Sequence, residues 1–214
     1  MAVGVAVREV HVMDKAAERR GAPFGREHRV ARARVNWARW ATWTVGFIAF
    51  PIAGLAGRGV VGRVDDPLAA LVGGGIAGAV IGTGQWLVSR RDVGEPALWI
   101  GASAGGMGVG LLAGAATVNY ETELGDLALM GAITGVALGP AQALVLARRW
   151  PRAWAWAFAM PALWAAGWSV STAIGVDVER QYVVFGSAGA ITVMALSGLL
   201  LEWTRAAGRR PFAG

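Results

Sequence analysis

The chain has 214 residues, of which 55% are hydrophobic and only 16% charged, with a mean hydropathy of +0.48. A soluble domain of this size carries about a quarter charged residues, so the balance points to a membrane class. The net charge of +6 rests on nineteen arginines and the single Lys15, and with no cysteine the chain has no disulfide, thiolate metal site or cysteine nucleophile.

Residues 1–36 read as a polar, basic arm. The opening MAVGVAVREV lacks a basic leader and is broken by Arg8-Glu9, so it does not read as a signal peptide. Val5, Val7, Val10 and Val12 suggest a short strand or contact segment, and residues 14–20 suggest a turn or two of helix ended by Gly21 and Pro23. Further on, Arg26, Arg29, Arg32 and Arg34 crowd one side of a stretch whose other side carries Val30, Trp37 and Trp40. That pattern predicts an amphipathic segment lying on anionic headgroups. His11 and His28, the only histidines, fall in this arm, which leaves no histidine in the apolar region to ligate a haem.

Six apolar spans are expected over 37–57, 67–88, 96–118, 124–147, 154–174 and 182–203, followed by a short basic tail, 204–214. The predicted fold is therefore an all-α integral membrane bundle of six transmembrane helices, with 37–203 as its body. Arginine and lysine bias orients short loops. Placing both termini in the cytoplasm puts seventeen of the twenty basic residues on the inner side, and leaves only Arg58, Arg63 and Arg180 outside. Nine of the eleven tryptophans also fall toward the ends so assigned, as indoles at headgroup level would. The arginines thus punctuate apolar runs, an arrangement that fits topology and not nucleic-acid binding.

The second and fourth spans repeat a pattern. Gly74, Gly78 and Gly82 precede Gln85 and Arg90-Arg91, while Gly131, Gly135 and Gly139 precede Gln142 and Arg148-Arg149. The sixth span is a worn copy without the glutamine, so the predicted plan is three pseudo-repeated helical hairpins about an axis along the membrane normal. Runs such as GAVIGTGQWLVSRR resemble the glycine-rich Gln-Trp-Leu-Val-x-Arg-Arg units of bacterial polytopic membrane proteins that have no assigned activity. The resemblance implies a multi-pass helical fold in a bacterial cytoplasmic membrane and carries no activity with it.

Small residues four apart line one helical face and let a second helix approach closely, so Gly74, Gly78, Gly82, Gly106, Gly110, Gly114, Gly131, Gly135 and Gly139 are expected at helix–helix contacts. Gln85 and Gln142 are carboxamides within apolar spans and need partners, which makes them candidate polar or pore-lining residues. Arg90, Arg91, Arg148, Arg149 and Arg152, with the arm arginines, are candidates for docking lipid headgroups or an acidic protein. No span carries an ionisable residue at its centre, as a proton relay or ion-coupled pump would need. Neither a nucleophile–base pair, nor a phosphate loop, nor a metal-ligand spacing appears, and no cofactor is expected. The acidic turn of Glu121, Glu123 and Asp126 reads as solvated. The functional expectation is a non-catalytic accessory or scaffold subunit of a bacterial membrane complex, with lipids and partner subunits as its contacts. The alternative is a passive facilitator for a small neutral solute or lipid, using Gln85 and Gln142.

Overall fold

The computed structural model describes residues 35–175 and 184–208. The expected arm, with Arg26, Arg29, Arg32, Arg34 and both histidines, lies outside the described residues, as do Arg180, Tyr182, Arg209 and Arg210. What is described is all helical. The chain runs α1 (Trp37–Val45), a 3₁₀ turn (Gly46–Ile48), α2 (Ala49–Val61), α3 (Pro67–Val93), α4 (Pro96–Thr117), α5 (Leu124–Leu146), α6 (Trp154–Ala173) and α7 (Ser187–Gly208). Helices α1 and α2 form one rod in which the backbone tightens to 3₁₀ just before Pro51, which lacks the N–H that would reach back one turn.

The starts follow local chemistry. Asn36 caps α1 by accepting the Arg39 N–H at 3.1 Å. Asp66 caps α3 by accepting from Leu68 and Ala69 at 2.8 and 2.9 Å, with Pro67 at the first helical position. Proline also opens α4. The ends follow expectation in part. Helix α3 breaks at Ser89, directly after the predicted end at 88, and a further turn carrying Arg90 and Arg91 runs on to Val93. Helix α7 starts at Ser187 and runs on to Gly208, past the predicted end at 203.

Each rod packs on the next, and α7 packs back on α1, so the helices form a closed ring of antiparallel neighbours. Glycine sets the spacing. A Cβ on Gly74 would meet the Met107 carbonyl at 2.8 Å, and one on Gly78 would run into the Ser103 carbonyl. Gly106, Gly110 and Gly114 of α4 stand in the same relation to Leu138, Thr134 and Met130 of α5. Gly131, Gly135 and Gly139 do so toward Trp164, Met160 and Ala157 of α6. Lipid supplies no hydrophobic drive between helices, so close backbone contact has to hold them together.

With the perimeter drawn tight, bulky side chains fill the interior. Trp43 and Trp99 each meet Trp156 edge-on, at ring-centroid distances of 5.9 and 6.2 Å. Farther along the ring axis Phe50, Trp164, Trp168 and Phe185 form a second aromatic group. Trp43, Trp99 and Trp156, expected at headgroup level, are therefore buried core residues.

Five helices are long and apolar enough to cross a bilayer: Trp37–Val61, Pro67–Val93, Pro96–Thr117, Leu124–Leu146 and Ser187–Ala206. This is a multi-pass membrane protein. Helix α6 is not among the five, because four of its twenty residues are tryptophans, which score as nearly neutral. Three of those indoles, on Trp156, Trp164 and Trp168, point into the ring and not toward lipid.

Gly78→Val should separate α3 from α4 and cost about 2–3 kcal/mol or more, as overpacking does. Gly101→Val, where nothing lies within 4 Å of the added Cβ, should be tolerated. Comparing the two melting temperatures in detergent checks the pair, and equal melting would refute the packing argument.

Candidate functional site: two buried polar nodes

The two glutamines singled out by the repeat come together. Gln85 lies on α3 and Gln142 on α5, separated in the ring by α4, and both face inward with 6% and 1% exposure. Gln142 Nε2 donates to Ser103 Oγ on α4 at 2.9 Å and, more weakly, to Gln85 Oε1 at 3.4 Å. Its Oε1 accepts the Trp156 indole N–H from α6 at 2.9 Å. Ser103 in turn donates to the Trp99 carbonyl at 2.9 Å. Gln85 Nε2 has only the Met194 sulfur, at 3.6 Å, so this node ends on α7 in a soft, weak acceptor. One polar cluster thus touches five consecutive rods.

The second node lies one helical turn from Gln85, where α3 breaks at Ser89. The Arg205 guanidinium of α7 is 2% exposed and sits between two carboxylates. It pairs with Asp92 at 2.7 Å and with Glu202 on its own helix. Ser89 Oγ donates to Asp92 Oδ2 at 2.7 Å, and the Asn36 backbone N–H donates to Glu202 Oε2 at 3.1 Å. Two acids and one base leave the node with one negative charge. It fastens the end of α3 to α7 and to the residue that caps α1. Two buried donors stay unpartnered in this half of the ring, Trp99 Nε1 and Arg205 Nε.

No protein-family model, curated protein or solved structure matches this chain. The site therefore has to be read from its own chemistry. The one hydroxyl beside a carboxylate, Ser89 on Asp92, shares its acceptor oxygen with the Arg205 guanidinium, and among the described residues no three histidines or carboxylates stand close enough to hold a metal. Both nodes do what buried polar groups in lipid must do, which is to satisfy one another.

Outside the nodes, the arginines collect at one end. Arg90, Arg91, Arg148 and Arg149 are exposed, and Arg149 Nη1 donates to the Arg91 carbonyl at 3.1 Å, which joins the two Arg-Arg pairs directly. Arg90 stacks over Trp86 and Arg152 over Trp203, each 4.9 Å from the ring centre. Arg205 differs from the rest. It looks like one more orienting cation in the sequence, yet it is buried and neutralised.

The Glu202–Arg205 half of the ion node is legible in the chain, whereas the Asp92 half is not, because Asp92 follows an Arg-Arg pair and looks like part of a polar loop. Only the break at Ser89 turns it inward. The i,i+3 spacing of Glu202 and Arg205 was the visible signal for the first half. Ser103, among glycines and alanines, gave none.

Arg205→Met should leave Asp92 and Glu202 without their shared cation and destabilise the protein by about 3 kcal/mol. Adding Glu202→Gln to that variant should recover part of the loss, because one orphaned charge is gone. Chemical denaturation of the three proteins in the same micelle checks this. A double variant no better than the single would contradict the ion-node account.

Proposed function

We propose that this chain is a non-catalytic accessory or scaffold subunit of a bacterial cytoplasmic-membrane complex, with six spans and both termini on the cytoplasmic side. The observation that carries this reading is the filled interior. Trp43, Trp99, Trp156, Phe50, Phe185, Met107 and Met194 occupy the space inside the ring, and the two glutamines are turned toward bonds with Ser103, Trp156, Met194 and each other. A ring closed by backbone contact and packed with indoles suits a structural part.

The sixth span is supported by position. Helix α6 is twenty residues, about 30 Å, long. It packs between α5 and α7, both of which qualify as spans, and meets α5 from Ala157 to Trp168. A rod held between two spanning neighbours shares their depth. Orientation is supported by the gathering of Arg90, Arg91, Arg148, Arg149 and Arg152 at one end, which is the cytoplasmic end under the positive-inside rule.

The facilitator alternative draws on Gln85 and Gln142, but a solute path along them would have to displace the Trp156–Gln142 and Ser103–Gln142 bonds. Native extraction in mild detergent followed by intact-complex mass analysis should return the chain with stoichiometric protein partners. Liposomes holding the chain alone should show no solute flux above empty vesicles, and Gln85→Leu with Gln142→Leu should change stability without changing flux. A lone chain that conducts, and stops conducting in the double variant, overturns the scaffold reading.

A further inference from the structure

A cleft of about 240 Å³ opens at the arginine end between α4 and α5, lined by Gly94, Glu95, Leu98, Val145, Arg148 and Arg149. Its floor is the last turn of α3 and its tight connection to α4, where three side chains, one from α3 and two from the turn after α5, hold backbone carbonyls. Trp86 Nε1 donates to Gly94 O at 3.1 Å, Trp150 Nε1 to Asp92 O at 3.0 Å, and Arg149 Nη1 to Arg91 O at 3.1 Å. Gly94 has φ +88, and a Cβ there would also press on Arg149 Nε at 3.0 Å. The left-handed φ is what favours glycine here, since the Arg149 side chain can move aside.

The charges on this floor are not used up by the fold. Arg148 and Glu95 are exposed, and neither side chain makes a hydrogen bond or ion pair among the described residues. Arg149 uses Nη1 on the Arg91 carbonyl, which leaves its Nη2 edge. Two guanidinium groups and one carboxylate thus border one small depression without neutralising each other. Beside them lie Leu98 and Val145, and Leu144 next along α5 is 74% exposed, which continues the apolar surface toward the bilayer.

We propose that this cleft binds a phospholipid whose headgroup carries both a phosphate and a primary ammonium, the ethanolamine class. Arg148 and Arg149 take the phosphate, Glu95 accepts hydrogen bonds from the ammonium, and the glycerol and first methylenes lie along Leu98 and Val145. The volume suits a headgroup with its acyl chains outside, being smaller than a pocket that encloses a whole drug-sized ligand. The charges select among headgroups. A glycerol headgroup brings the same phosphate to the arginines but offers Glu95 only neutral hydroxyls. Choline carries a cation with no N–H to donate. Of the three, only a primary ammonium gives Glu95 a donor that also carries the opposite charge. The site rests on the multi-pass reading, since only a lipid-bathed ring brings headgroups level with these arginines, and it is independent of the scaffold role.

The test is intact-protein mass spectrometry of the detergent-purified chain titrated with ethanolamine, glycerol and choline phospholipids of identical acyl chains. The ethanolamine lipid should bind about tenfold more tightly than the other two, the ratio expected for one hydrogen bond to a charged group. Glu95→Gln should abolish that preference while leaving binding of the glycerol lipid equal or stronger. Arg148→Gln should weaken all three. Both substitutions are at exposed positions and should leave the melting temperature unchanged, which separates loss of the site from loss of the fold. Equal affinity for the ethanolamine and glycerol lipids, or a preference that survives Glu95→Gln, overturns the proposal. A chain that stays monodisperse in buffer without detergent fails the membrane reading itself, a different result from a detergent-dependent chain with no headgroup preference.

Discussion

The structure depends on how closely one helix backbone can approach another. In lipid, apolar side chains gain nothing by leaving solvent for a partner helix, so association relies on dispersion contact and hydrogen bonds. Glycine at every fourth position removes the side chains that would hold two rods apart. At Gly74 and Gly78 on α3, at Gly106 and Gly110 on α4, and at Gly131 and Gly135 on α5, the neighbouring backbone occupies the space a Cβ would need. Three successive interfaces share one device, and the ring closes because each rod is narrow on the faces toward its neighbours.

That narrowness decides where large residues go. Perimeter faces consumed by glycine leave the inward face for bulk, and an inward face in a ring of six rods needs a great deal of volume. Tryptophan supplies it, and supplies a donor as well. The Trp156 N–H binds Gln142, the Trp43 N–H binds Ser197 at 3.0 Å, and the Trp40 N–H binds the Ala195 carbonyl at 2.8 Å. Indoles therefore fill the core and satisfy its polar atoms together, which Phe or Leu cannot do. The glutamine at Gln142 becomes tolerable in an apolar interior because an indole and a serine hydroxyl reach it from two sides.

Much of this plan was legible in the chain. Helix starts at Pro67 and Pro96 follow from proline at the first helical position, with Asp66 capping the first of them, and the glycine spacing lay on faces that meet. Helix ends were less legible. An Arg-Arg pair looks like a terminus, and α3 does break beside it at Ser89, but a further turn through Arg90 and Arg91 to Val93 follows the break. Tryptophan position was ambiguous for a related reason. Residues near span ends are close to the headgroups in depth, but depth does not say whether a ring points outward to lipid or inward to the core. Trp154, 58% exposed, takes the first course, and Trp156, two residues on, takes the second. Average hydropathy hides the same distinction, so α6 scores below its neighbours for indoles that lipid does not meet. The Asp92–Arg205 pair lay beyond one-dimensional reading, because the two are remote in sequence and meet only after α3 breaks at Ser89.

The two ends of the ring are held by different forces, and this bears on where it can act. At the arginine end the rods are joined by directional bonds: the Arg205 ion node, the three donors on the 91–94 carbonyls, and Arg152 stacked on Trp203. Such bonds fix angles as well as distances. Farther along the axis the group of Phe50, Trp164, Trp168 and Phe185 holds by packing, which fixes separation but tolerates rotation. A partner or headgroup arriving at the arginine end meets a surface whose backbone is already ordered, so association there loses little conformational entropy. Exposed charge on a backbone held by three side-chain donors is what recognition needs.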